Sequence, residues 1–135
     1  MNEQKIKEKY YEYQMTVNQI QQLQQNITNL EKHITELNKI DDNIETITKV
    51  ELNQETLIPM GNGLFIRGTI KDTSKFIMNV GSGVCVDKTV DEARETVKKQ
   101  LTEVSSLTDH MKVQVEELMV TIQELQEQIE KMKPE

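Results

Sequence analysis

The stretch Leu57-Ile58-Pro59-Met60-Gly61-Asn62-Gly63-Leu64-Phe65-Ile66-Arg67-Gly68-Thr69-Ile70 decides how the chain is read. Leu57–Met60 and Leu64–Ile70 are short apolar runs, and Gly61-Asn62-Gly63 supplies the positive-φ residues of a tight hairpin. After the polar connection Lys71-Asp72-Thr73-Ser74, the pattern returns. Lys75-Phe76-Ile77-Met78-Asn79-Val80 is a third strand, Gly81-Ser82-Gly83 a turn, and Val84-Cys85-Val86 a fourth strand. Pro59 cannot donate to a ladder, which puts its strand at an edge or a bulge. Gly68 inside a strand predicts a bulge or bend. Four short strands with apolar residues on both faces bury little alone, and their open edges call for another chain. Assembly by sheet extension or barrel closure is expected to use Leu57, Ile58, Leu64, Phe65, Ile66, Ile70, Phe76, Ile77, Val80, Val84 and Val86. The alternative is a small sheet folded back on the flanking segments.

Outward from this insert, both flanks read as long helices. Before it, apolar residues fall at Ile6, Tyr10, Tyr13, Val17, Ile20, Leu23, Ile27, Leu30, Ile34, Leu37, Ile40, Ile44 and Ile47. The steps are fours and threes, with an extra three after Ile20 and after Leu37. The mean is slightly under the heptad value of about 3.5, which predicts a left-handed supercoil, locally overwound. Asp41-Asp42-Asn43 should weaken this helix near its end. After the insert come Val90, Ala93, Val97, Leu101, Val104, Leu107, Met111, Val115, Leu118, Ile122, Leu125, Ile129 and Met132. Thr89 followed by Glu92 is a capping box, Asp91 and Glu92 suit the positive end of the helix dipole, and Pro134 closes the pattern. Neither apolar stripe is buried by a lone helix. The arms match in length, roughly 65 Å each by the helical rise, so an antiparallel hairpin pairs them end to end. The expected fold is α+β, mostly α: a long antiparallel coiled-coil hairpin, with two β-hairpins at its base that join an oligomeric β-barrel. Residues 1–135 then form one domain, with a first helix in 1–50, an assembly region in 51–88 and a second helix in 89–135.

Composition agrees with solvated helices that bury one stripe. Of 135 residues, 36% are hydrophobic and 4% aromatic, with no Trp, which is thin for a compact core. The net charge of −7 argues against nucleic acid, which needs clustered Lys and Arg, and against anionic membrane surfaces. No apolar run spans a bilayer, and the polar N-terminal residues lack a signal-peptide core. Asn26-Ile27-Thr28 matches a glycosylation sequon by accident of composition. Cys85 is the sole cysteine, which points to a reducing, cytoplasmic setting, and its strand position predicts a small buried hydrophobe. His33 and His110 are solitary helix residues and make no metal motif. The glycines lie between strands and form no phosphate loop. Nothing here predicts an enzyme, a cofactor or a metal.

The order helix, two hairpins, helix resembles the prefoldin family, and two hairpins resemble its alpha class. Leu57-Ile58-Pro59-Met60-Gly61, Phe65-Ile66-Arg67-Gly68, Ile70-Lys71-Asp72-Thr73-Ser74, Ile77-Met78-Asn79-Val80-Gly81-Ser82-Gly83-Val84 and Asp91-Glu92-Ala93 carry the likeness. The specific part lies within about residues 56–95, since coiled-coil arms are generic. The resemblance implies a heterohexamer of two alpha and four beta subunits, with the hairpins in a double barrel. It further implies ATP-independent holding of unfolded clients at the helix ends and delivery to a group II chaperonin. The client-binding residues are then expected among Tyr10, Tyr11, Tyr13, Met15, Leu118, Met119, Val120, Ile122 and Met132. Tyr11, Met119 and Val120 lie off the main stripe and are the strongest candidates. A filament or tether built through the hairpins, as in gamma-type prefoldins, is the alternative.

Overall fold

The computed structural model describes residues 2–133. The element order is α1 (Asn2–Thr48), β1 (Glu55–Gly61), β2 (Leu64–Thr69), β3 (Lys75–Gly81), β4 (Val84–Thr89) and α2 (Val90–Met132). Contacts divide the described chain into a terminal unit, residues 2–34 with 103–133, and a hairpin unit, residues 35–102.

In the terminal unit α1 and α2 pack antiparallel. Ile20, Ile27 and Val115 form a buried cluster, flanked by Leu23, Met111, Leu118 and Ile122. Leu125 and Ile129 are buried as well. The Gln126 Nε2 amide donates to the Tyr13 hydroxyl at 3.2 Å, joining the beginning of α1 to the end of α2. Buried Thr16 and Thr108 sit in the same seam. Each satisfies its hydroxyl locally, Thr16 Oγ1 donating to the Glu12 carbonyl and Thr108 Oγ1 to the Val104 carbonyl, both at 2.8 Å. A threonine that bonds its own helix can enter an apolar seam without an orphaned donor.

The hairpin unit buries Leu37 and Ile44 of α1 and Ala93 and Val97 of α2. Arg94 donates to both Asp41 carboxylate oxygens, at 3.1 and 3.4 Å, and lies 3.6 Å from Glu45. The two bonds to Asp41 raise the guanidinium pKa still further. Asp41-Asp42-Asn43 therefore does not interrupt α1. Asp41 is a half-buried anchor, and the helix continues to Thr48. Lys49 and Val50 then donate to the carbonyls of Thr46 and Ile47, closing the last turn. At the other end the expected capping box is present. Glu92 N–H donates to Thr89 Oγ1 at 3.2 Å and Thr89 N–H to Glu92 Oε1 at 3.4 Å. Pro134 lies outside the described residues.

The seam differs from the apolar list in a regular way. Lys9, Thr16 and Asp41 are more shielded than Tyr10, Val17 and Ile40, and Thr108 more than Leu107. With these replacements, threes and fours alternate without a break from Ile6 to Ile44 and from Leu101 to Met132. The extra three-residue steps expected after Ile20 and Leu37 are absent from the shielded positions. Heptad continuity overrides the hydropathy of single residues.

The two hairpins are copies of one design, displaced by twenty residues along the chain. Strand β1 pairs antiparallel with β2 from Glu55↔Thr69 to Pro59↔Phe65, and the ladder slips by one at Met60 before Gly61↔Leu64. Strands β3 and β4 repeat this from Lys75↔Thr89 to Asn79↔Cys85, slipping at Val80 before Gly81↔Val84. The turn residues Asn62 and Gly63, with φ of 50° and 76°, match Ser82 and Gly83, with φ of 53° and 75°. Two successive positive φ values are the mark of a type I′ hairpin turn. Gly63→Val should strain the first hairpin by about 1–2 kcal/mol, because the position is open but left-handed. Faster amide exchange in β1 and β2, with β3 and β4 unchanged, is the expected readout. Gly68 makes no bulge, since its pair with Thr56 lies within an unbroken ladder. Its bare Cα accommodates Ile58 instead: a Cβ there would stand 2.7 Å from Ile58 Cδ1.

Candidate functional site

Two surfaces carry the residues singled out from sequence. The first is the pair of hairpins. Each forms a two-stranded sheet of its own. A lone two-stranded sheet has too few neighbours to bury its side chains. Leu57, Ile58, Leu64, Phe65, Ile66, Ile77, Val80, Val84 and Val86 are all exposed. Ile70 and Phe76 are half-buried. Cross-strand pairing puts Ile58 beside Ile66 on one face and Pro59 beside Phe65 on the other. Both faces of the first hairpin are therefore apolar and open.

Met60, exposed at the first bulge, belongs to the same surface and was missed in the sequence. Its equivalence to Val80 at the second bulge is the signal that could have found it. Cys85 is exposed, which corrects the expectation of a buried thiol. It lies on β4, which pairs only with β3 and has no second layer within its sheet. Polar contacts on the hairpins are sparse. Glu55 and Arg67 approach to 3.4 Å across β1 and β2, both exposed, where solvent screens the pair. In the connection, Ser74 donates to Asp72 Oδ1 from its hydroxyl at 2.6 Å and its N–H at 2.8 Å. Those donors hold the Asp72 carboxyl below the usual range. Their support for the connection is present above the ordinary carboxylate pKa and is lost as pH falls through the lowered value.

The second surface is the terminal helix pair. Tyr10, Tyr11 and Met15 on α1 and Met119 and Val120 on α2 are exposed, as is Val113, which the sequence reading left out. Tyr13, Leu118, Ile122 and Met132 are half-buried. Relative to the seam, Tyr11, Val113 and Val120 take the outermost helical position, the one expected to be polar. Two shallow grooves run along the seam. Tyr10, Tyr13, Gln126, Ile129, Glu130 and Lys133 line one, and Gln19, Leu23, Asn26, Gln114 and Leu118 are among the residues of the other. Amides and apolar side chains in open grooves offer contact area. Among the described residues, no three of His, Cys, Asp and Glu gather as a metal site would require, and no helix is long and apolar enough to cross a membrane.

The family model "Prefoldin: Prefoldin subunit" matches residues 4–134. The chain is 35% identical over 71 residues to "Prefoldin subunit alpha" of Methanopyrus kandleri, covering 53% of this chain and 45% of that protein. It is 35% identical over 103 residues to the protein of that name in Pyrococcus horikoshii, covering 76% and 70%. With that of Thermofilum pendens it is 28% identical over 118 residues, covering 87% and 92%. The match to the Methanopyrus protein thus spans less than half of that relative. Among solved structures, filamentous PFD from Methanocaldococcus jannaschii shares the fold with a TM-score of 0.74 at 17% identity, covering 83% of this chain and 93% of that one.

Proposed function

This chain belongs to the prefoldin family of chaperones, and from that premise we propose that it is an alpha-class subunit acting as an ATP-independent holdase. Its hairpins join beta-class subunits, in a hexamer of two alpha and four beta chains. Its terminal helix pair holds unfolded proteins against aggregation in the cytoplasm and delivers them to a group II chaperonin. No nucleic acid, membrane, cofactor or catalysis enters this function.

One observation carries the reading: the helix seam is closed, yet large apolar side chains stay exposed on the hairpins and on the terminal helix pair. Residues that neither surface needs for its own helix packing are available to other chains. Met tolerates varied partners because its side chain is flexible and polarisable, and exposed Tyr adds area with few rotors to order. The relatives named as alpha subunits support the assignment of class. The filamentous structural relative keeps a second reading open, a homopolymer built through the hairpins.

Replacing Tyr11, Met119 and Val120 with Ser tests the holding surface. They are 68%, 51% and 55% exposed, so the substitutions leave the seam intact. Losing two or three apolar contacts should raise the concentration needed to suppress aggregation of a denatured client by about tenfold. Light scattering reads this directly. Unchanged suppression by an intact assembly would remove these residues from the function.

A further inference from the structure

We propose that the terminal helix pair selects unfolded segments combining apolar side chains with net positive charge. The proposal rests on the holdase reading and adds a client class to it. From Tyr10 to Leu30 and from Val113 to Glu130 the chain has six glutamates (Glu12, Glu116, Glu117, Glu124, Glu127 and Glu130) and no Lys, Arg or His. These stretches also contain Tyr10, Tyr11, Met15, Val113, Met119 and Val120, all exposed, while exposed Leu107 of the same unit lies outside them.

The helical repeat puts carboxylates beside the apolar side chains. Glu116 and Glu117 stand four and three residues before Val120 and three and four after Val113, and Glu124 stands four after Val120. Lys9 reaches Glu12 at 3.9 Å. Glu116, Glu117, Glu124, Glu127 and Glu130 have no ion-pair partner among the described residues. A segment docking beside Met119 and Val120 meets carboxylates alone within the screening distance of about 8 Å at physiological salt, whereas Lys7 shares a groove with Tyr11 and Lys133 one with Tyr10. Its lysines and arginines find uncommitted carboxylates, while an acidic segment brings like charge against them. The same argument disfavours a second copy of this surface as the occupant.

The test uses the full chain assembled with a beta-class subunit and two reduced, denatured clients, basic lysozyme and acidic α-lactalbumin. At low salt the wild-type assembly should suppress lysozyme aggregation at about fivefold lower concentration than it needs for α-lactalbumin. That gap should narrow at about 0.5 M salt. The variant Glu116→Gln/Glu117→Gln/Glu124→Gln/Glu127→Gln should close the gap by weakening lysozyme holding alone. A control set in the hairpin unit, Asp42→Asn/Glu51→Gln/Asp91→Asn/Glu95→Gln, removes as much charge elsewhere and should leave it. Equal holding of both clients by wild type, or closure of the gap by the control set, overturns the selectivity and leaves the holdase standing. Failure to hold either client overturns both.

Discussion

Replacing Phe65 and Ile77 with lysine is expected to abolish assembly with a beta-class partner while the chain itself keeps its helices. The two residues are 55% and 77% exposed, so the isolated chain gains little from burying them. In an assembly that covers both hairpin faces, each would bury most of a large side chain, worth about 1.5–3 kcal/mol. Lysine removes that gain and adds a charge to be desolvated. Assembly should weaken at least about 100-fold, since 1.4 kcal/mol is a factor of ten. Size-exclusion chromatography with light scattering reads the assembly, and far-UV circular dichroism reads the helices. A complex of unchanged mass would show that the hairpins do not mediate it.

The second large effect lies in the seam. Leu37 is 3% exposed in the hairpin unit, and Leu37→Ala should cost about 2–4 kcal/mol through lost burial and the cavity left behind. Ile40, three residues on, is 45% exposed, and Ile40→Ala should stay within about 0.5 kcal/mol. Hydropathy alone ranks the two alike. Chemical denaturation of both variants separates heptad register from residue hydrophobicity. Equal losses would contradict the seam that runs through Asp41.

What could be read in advance follows from how local each signal is. Gly61-Asn62-Gly63 and Gly81-Ser82-Gly83 gave both turns, because positive φ leaves few residue choices. Thr89 and Glu92 located the start of α2 because their two reciprocal capping bonds are made within three residues of chain. The seam was misassigned at Tyr10, Val17, Ile40 and Leu107, where a larger apolar residue adjoins the position that register selects. Thr16 and Thr108 are admissible there only because their hydroxyls bond back to their own helices, and Asp41 only because Arg94, distant in sequence, meets it. Gly68 read as a bulge because its use, room for Ile58, depends on the partner strand.

Of the eleven residues named for assembly nine are exposed, because strands that alternate poorly carry apolar side chains on both faces. The twenty-residue repeat was not legible in advance. Apart from the turn glycines and the closing Thr69 and Thr89, the two copies use different side chains for the same backbone. Met60 escaped notice with it. On the terminal unit, position off the main stripe identified Tyr11, Met119 and Val120 as exposed, whereas Tyr13, Leu118, Ile122 and Met132 are shared between the seam and the surface.

Native mass spectrometry of this chain coexpressed with a beta-class prefoldin subunit tests the central claim most directly. The account predicts a discrete hetero-oligomer with two copies of this chain and four of the partner, absent when Phe65 and Ile77 are lysine. A monomer that ignores the partner, or a homopolymer formed by this chain alone, would contradict it.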